Sequence, residues 1–156
     1  MSEKKNTGIK VLADNRQARF QYEFLEVLEA GISLTGTEVK SIRAGKINLR
    51  DSYGLIRNGE AWLLNTHISA HATTSAYYNH EPTRTRKLLL HKKEIRQLVG
   101  KVDQQSLTLV PVKMYLKNGK VKVSIALARG KKLYDKRDDL RKKDDQRDIA
   151  RAMKRG

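Results

Sequence analysis

The chain has no cysteine, only two prolines, one tryptophan and two phenylalanines among its 156 residues. Without thiols there is no disulfide, no thiolate metal site and no cysteine nucleophile. No stretch reaches the roughly 18 apolar residues of a membrane-spanning helix. Met1 to Lys10 has no apolar centre and does not read as a signal peptide. A phosphate-cradling G-x-x-x-x-G-K loop is missing; Gly130-Lys131-Lys132 lacks the upstream glycine. The histidines are His67, His71, His80 and His91. The first two stand four apart, but at a strand end rather than on a helix, so metal-ligand spacing fails. No nucleophile–base pair meets the criteria for a catalytic site. These absences argue against an enzyme and against a resident metal, cofactor or small-molecule substrate.

What is abundant is positive charge. Lys and Arg number 33 against 17 Asp and Glu, for a net charge of +16. A protein this basic meets a polyanion, and the composition points to a nucleic-acid partner in the cytoplasm. An anionic membrane fits less well, because no strongly amphipathic apolar face is present.

The chain divides into a flexible N-terminus (1–13), a patterned body (14–129) and a basic tail (130–156). The tail holds eleven Lys or Arg, six Asp and few apolar residues. It cannot bury enough surface to offset its conformational entropy. Asp138 with Lys142, Asp139 with Lys143 and Asp148 with Arg151 have the spacing and order that support a helix. On composition alone two readings stay open. One is a tail that is disordered when free and folds as a helix inside an anionic cavity; the other is a solvated solubilising tail.

Within the body, Asp14 is placed to cap a short turn, and Phe20, Tyr22 and Phe24 alternate as a strand. After Phe24 the apolar phase shifts to Leu25 and Val27, which predicts a bulge. Thr35 and Glu38 have capping-box spacing for a helix from Gly36 to Ala44, ended by Gly45, with Lys40 and Arg43 on its exposed side. Ile47, Leu49, Tyr53 and Leu55 read as a strand, Asn58-Gly59 as a hairpin turn, and Trp62, Leu64, Thr66 and Ile68 as the return. Residues 70–87 lose periodicity. They interleave Tyr77 and Tyr78 with Arg84, Arg86 and Lys87, a mixture suited to RNA or to an ordinary polar loop. Of Leu88, Leu89 and Leu90, at least one must face outward. A second helix follows, with Ile95, Leu98 and Val99 inward and Gly100 as its stop. Val110, Val112, Met114 and Leu116 form a strand in which Pro111 implies an edge or bulge. Asn118-Gly119 turns into Val121, Val123, Ile125 and Leu127, with Lys120, Lys122 and Ser124 outward. Two hairpins, a bent first strand and about three short helices predict a mainly β fold, an antiparallel barrel of the oligonucleotide-binding kind. Glu29, at a strand end beside Gly31, has no evident structural use. An acid on a basic surface can accept from guanine or sugar hydroxyl donors.

Three segments, EAGISLTGTEVKSIRAG (29–45), PTRTRKLLL (82–90) and GKKLYDKR (130–137), resemble the bacterial SsrA-binding protein family, also called small protein B. The likeness runs from about Asn15 to Lys154. It implies an oligonucleotide-binding barrel with an unstructured tail. It also implies binding to the tRNA-like domain of transfer-messenger RNA and delivery of that RNA to stalled ribosomes for trans-translation. In the family the tail enters the vacant mRNA channel near the decoding centre. By this resemblance Asn15, Glu29, Leu89 and Lys122 contact RNA. Gly130 is a hinge, Asp135, Lys136 and Arg137 form a required triplet, and Tyr134 stacks near the decoding centre, beside Lys131 and Lys132. The alternative is a general barrel-type binder of ribosomal or single-stranded RNA, gripping it through Tyr77 and Tyr78.

Overall fold

Two Asn-Gly pairs set much of the strand register. Asn58 and Gly59 have φ of 53° and 74°, and Asn118 and Gly119 have 52° and 79°. Positive φ at both central residues is the two-residue hairpin geometry whose twist matches the flanking strands. The computed structural model describes residues 8–71 and 79–131. Nine strands are found there: β1 (Ile9–Asp14), β2 (Tyr22–Ile32), β3 (Ile47–Asn48), β4 (Tyr53–Arg57), β5 (Glu60–Leu64), β6 (His67–Ile68), β7 (Arg86–Leu89), β8 (Thr108–Lys117) and β9 (Lys120–Gly130). Three helices join them: α1 (Arg16–Gln21), α2 (Gly36–Arg43) and α3 (Lys92–Gln105).

The strands β2, β9, β8, β4, β5 and β7 pair antiparallel in that order, and β7 returns to β2, closing a barrel. β1 joins β8 beyond the point where Leu109 pairs with β4. A small β3–β6 ladder sits beside the barrel. The interior holds Ile32, Leu63, Leu88, Met114, Val123, Ile125 and Leu127, with Ile42 from α2 and Leu98 from α3. A second cluster lies outside the barrel, where Ala18 of α1 packs on Val110, Val112, Ala126 and Ala128, flanked by Tyr22 and Phe24.

The expected bulges are present, at Phe24/Glu26 in β2 and Pro111/Lys113 in β8. The capping box at Thr35 and Glu38 is formed, and Gly45 takes φ 76° just past the helix. Several expectations are corrected. Residues 9–14 are a strand rather than part of a flexible end, because Leu12 and Ala13 pack on the core. Asn15, not Asp14, caps α1, and Phe20 lies in that helix rather than in the strand. Tyr53, Leu55, Trp62 and Leu64 point away from the core; Gly54, Ala61 and Leu63 point in. α3 runs through Gly100 to Gln105 and ends on left-handed Ser106, and Val99 is 37% exposed. Val110 and Val112 do not share a face with Met114, because the bulge between Pro111 and Lys113 flips the strand's phase.

Candidate nucleic-acid interface

The register across four strands assembles a row from distant segments. Gly31 of β2 pairs with Leu89 of β7 on one side and Lys122 of β9 on the other, and Lys122 pairs with Tyr115 of β8. On the outer face this places an apolar side chain, a bare backbone step, an ammonium and a phenol side by side. Leu89 is 53% exposed although apolar. It is held over Gly31, where a Cβ would stand 3.2 Å from the Leu89 Cβ. Lys87 lies two residues from Leu89 on the same outer face, opposite Trp62 and paired with Glu60.

Glu29 stands two residues from Gly31 along β2, and the structure gives it the partners that the sequence did not reveal. Tyr115 Oη donates to Glu29 Oε2 at 2.5 Å, and Lys117 Nζ lies 3.4 and 3.3 Å from Oε1 and Oε2. The Tyr115 hydrogen bond, aided by Lys117 and opposed by partial desolvation, lowers the carboxyl's pKa below its ordinary value. Glu29 is therefore anionic at neutral pH, set beside Lys117 and Lys122. The Lys113 ammonium lies 5.6 Å from the Tyr115 ring centroid, within cation–π range. Tyr115 and Lys117 were legible in principle. The two-residue turn at Asn118-Gly119 puts residue 117 opposite 120 and residue 115 opposite 122.

Other expected contact residues are placed differently. Asn15 is 4% exposed. Its Oδ1 accepts from Ala18 N at 3.2 Å, and its Nδ2 donates to Pro111 O at 2.8 Å and Leu49 O at 3.3 Å. Those bonds join α1 to the barrel, so the side chain is not offered to a ligand in this conformation. Arg86 does not belong to an exposed loop. It opens β7 fully buried, ion-paired to Glu38 at 2.6 Å and donating to Thr66 O at 2.8 Å. Arg84 also binds Glu38, at 2.7 Å, with part of its side chain in solvent. Burial raises the Glu38 pKa, but hydrogen bonds from Arg84, the Thr35 amide and Arg86 overcome it and hold the carboxyl at about 2. Lys40 and Arg43 are exposed on α2, off the sheet row. Gly130 is the last residue of β9, paired with Tyr22, and Lys131 N donates to Gln21 O at 2.8 Å. Lys132, Tyr134, Asp135, Lys136, Arg137, Tyr77 and Tyr78 lie outside the described residues, as does the expected disorder or induced helix of the tail. Among the described residues no group of three or more His, Asp or Glu could hold a metal ion, and no helix is long and apolar enough to cross a membrane.

Chemically, the row offers phosphates an ammonium, a ribose or base an apolar contact, and N–H or O–H donors a fixed anion. A carboxylate repels phosphate, so Glu29 adds selectivity where the lysines add affinity.

A family model described as SmpB protein matches residues 12–155. An SsrA-binding protein from Nostoc punctiforme is 70% identical over 150 residues, 96% of this chain and 97% of its own. Another, from Synechococcus elongatus, is 69% identical over 148 residues, 95% of this chain and 96% of its own. A solved structure described as "tmRNA-SmpB: a journey to the center of the bacterial ribosome" is 52% identical with a TM-score of 0.65, covering 79% of this chain and 85% of that one. With its barrel, its basic outer row and this near-complete match, the chain belongs to the SmpB family.

Proposed function

We propose that this chain is an RNA-binding adaptor and not an enzyme. It binds the tRNA-like domain of transfer-messenger RNA in the cytoplasm and brings that RNA to stalled ribosomes for trans-translation. The observation that carries this reading is the row Leu89–Gly31–Lys122–Tyr115 with Glu29 beside it, in a chain that resembles an SsrA-binding protein over 96% of its length. Lys122 and its neighbouring lysines neutralise phosphates, Leu89 contacts a sugar or base face, and Glu29 accepts from an RNA donor. Exposed Lys40 and Arg43, with half-buried Lys87 and the outer part of Arg84, add nonspecific charge. The basic segment after Lys131 takes the vacant mRNA channel, with Tyr134 and the Asp135-Lys136-Arg137 triplet near the decoding centre.

A competition gel shift tests the reading. Labelled tRNA-like RNA should be displaced by the same RNA unlabelled and poorly by random single strands. Equal displacement by both would favour a general single-stranded RNA binder instead. In the same assay Glu29→Gln should weaken binding while leaving the thermal melt nearly unchanged.

A further inference from the structure

Tyr115 is a buried residue of β8 whose hydroxyl has an acidic partner on β2. Its ring is 5% exposed, and its hydroxyl reaches across the face to Glu29 Oε2 at 2.5 Å. Resting on the function proposed above, we infer that Tyr115 is a positioning residue for RNA recognition: it fixes the Glu29 carboxylate on the lysine-rich face through Oε2, so that the more weakly held Oε1, 3.4 Å from Lys117 Nζ, accepts from an N–H or O–H donor of the RNA.

Three observations support this assignment. The first is mobility. Glu29 has a long side chain that is 37% exposed, with Lys117 near both its oxygens and Lys122 close by. An unrestrained carboxylate there would exchange among ammonium partners, each worth little at a surface. A phenol on a nearly buried ring, with only two side-chain torsions, donates from one place. The second is that, toward the carboxylate, Tyr115 can only donate. Its own burial, then the Glu29 hydrogen bond and charge, push its pKa above the ordinary tyrosine range, so the proton stays on the phenol. The third is location. Tyr115 pairs with Lys122, the ammonium of the same row, and Lys122 pairs with Gly31 under Leu89. One phenol thus sets the acid relative to both the phosphate-binding and the apolar element.

The test is the affinity of the full chain for the isolated tRNA-like domain of transfer-messenger RNA, followed from neutral pH downward. It compares wild type, Tyr115→Phe, Glu29→Gln and the double variant. Tyr115→Phe keeps the ring and should melt like wild type. Its affinity should fall about fivefold at neutral pH, the worth of one hydrogen bond. Its acid-side loss of binding should begin at higher pH than in wild type, because Glu29 relaxes toward the ordinary glutamate value of 4.5. The double variant should bind no more weakly than Glu29→Gln alone. If Tyr115→Phe loses affinity equally in the Glu29→Gln background, or its acid limb does not move, Tyr115 does not act through Glu29 and the inference is overturned. Wild-type affinity in Glu29→Gln is a different result, one that overturns the interface itself.

Discussion

Gly31 and Gly54 both interrupt strands, and a methyl added at each meets a leucine, but the outcomes should differ. At Gly54 a Cβ would lie 2.8 Å from the Cβ of Leu109, which is 3% exposed and has core on every side. Overpacking of that kind costs about 1–3 kcal/mol, and Gly54→Ala should lower the melting temperature accordingly. At Gly31 the neighbour is Leu89, at 3.2 Å, whose side chain stands in solvent and can tilt. Gly31→Ala should therefore melt almost normally yet lose RNA affinity as Leu89→Ala does, because it displaces the apolar contact. Equal melting losses at both glycines would contradict this difference. Asn15 presents the opposite case. It bonds the Ala18 amide and the Pro111 and Leu49 carbonyls from a buried position. Asn15→Ala should destabilise the fold by about 2 kcal/mol, measured by denaturant titration, since it removes a cap and takes a buried side-chain donor from Pro111 O and from Leu49 O, the latter keeping the Ser52 amide. Any loss of RNA binding should follow the fraction unfolded. The resemblance made Asn15 an RNA contact; its packing makes it first a joint between α1 and the barrel.

Among elements, α2 is bound to β7 by charge. Glu38 sits on α2 fully buried, receives Arg86 at 2.6 Å and Arg84 at 2.7 Å, and completes the Thr35 capping box. Arg86 in turn donates to Thr66 O at 2.8 Å and Pro82 O at 3.1 Å, so it ties the approach to β7 to the β5–β6 turn. A carboxyl held at about 2 instead of 4.5 stabilises the folded state above pH 4.5. That contribution, about 3 kcal/mol, drains away as pH falls from 4.5 toward 2. Glu38→Gln should flatten the acid limb of stability against pH. It should also cost about 3–5 kcal/mol at neutral pH, because Arg86 is left buried without its counter-charge. The capping box was readable from Thr35 and Glu38 alone, as was β9 from its alternation of valine, isoleucine and leucine with lysine. The ion cluster was not, because Glu38 and Arg86 are 48 positions apart and an arginine in a basic loop looks like a ligand for phosphate. The inward face of β4 and β5 was not legible for a related reason. The inward residues Gly54 and Ala61 are small, while the outward Tyr53, Leu55, Trp62 and Leu64 carry the apolar signal. A bulge in β8 similarly split an apparently single face between two clusters. Alternation reveals that a strand exists; which side is inside depends on what closes over it.

At the scale of the whole molecule, the decisive boundary lies between the barrel and the basic segment beyond it. β9 continues to Gly130, opposite Tyr22. Lys131 adds bonds from its amide to Gln21 O at 2.8 Å and from its ammonium to Arg19 O at 3.2 Å, where α1 meets β2. Cutting after Arg129 would remove these along with the tail, so a loss of RNA binding there would confuse two causes. Cutting after Lys131 separates them. The shortened chain keeps the row from Leu89 to Tyr115, Glu29 and its lysines, and should bind the tRNA-like RNA with nearly the affinity of the full chain. Its salt dependence is the sharper measure. On single-stranded RNA each neutralised phosphate adds roughly 0.7 to the slope of log affinity against log salt, and on B-form duplex about 0.9. If the body alone grips this RNA, the slopes of the full and cut chains should agree to within about one phosphate contact. Ribosome-dependent tagging of nascent chains should nevertheless be abolished by the cut. A slope that drops by several contacts would mean that the distal lysines and arginines lie on the transfer-messenger RNA, and the proposed separation of RNA capture from channel occupancy would have to be given up.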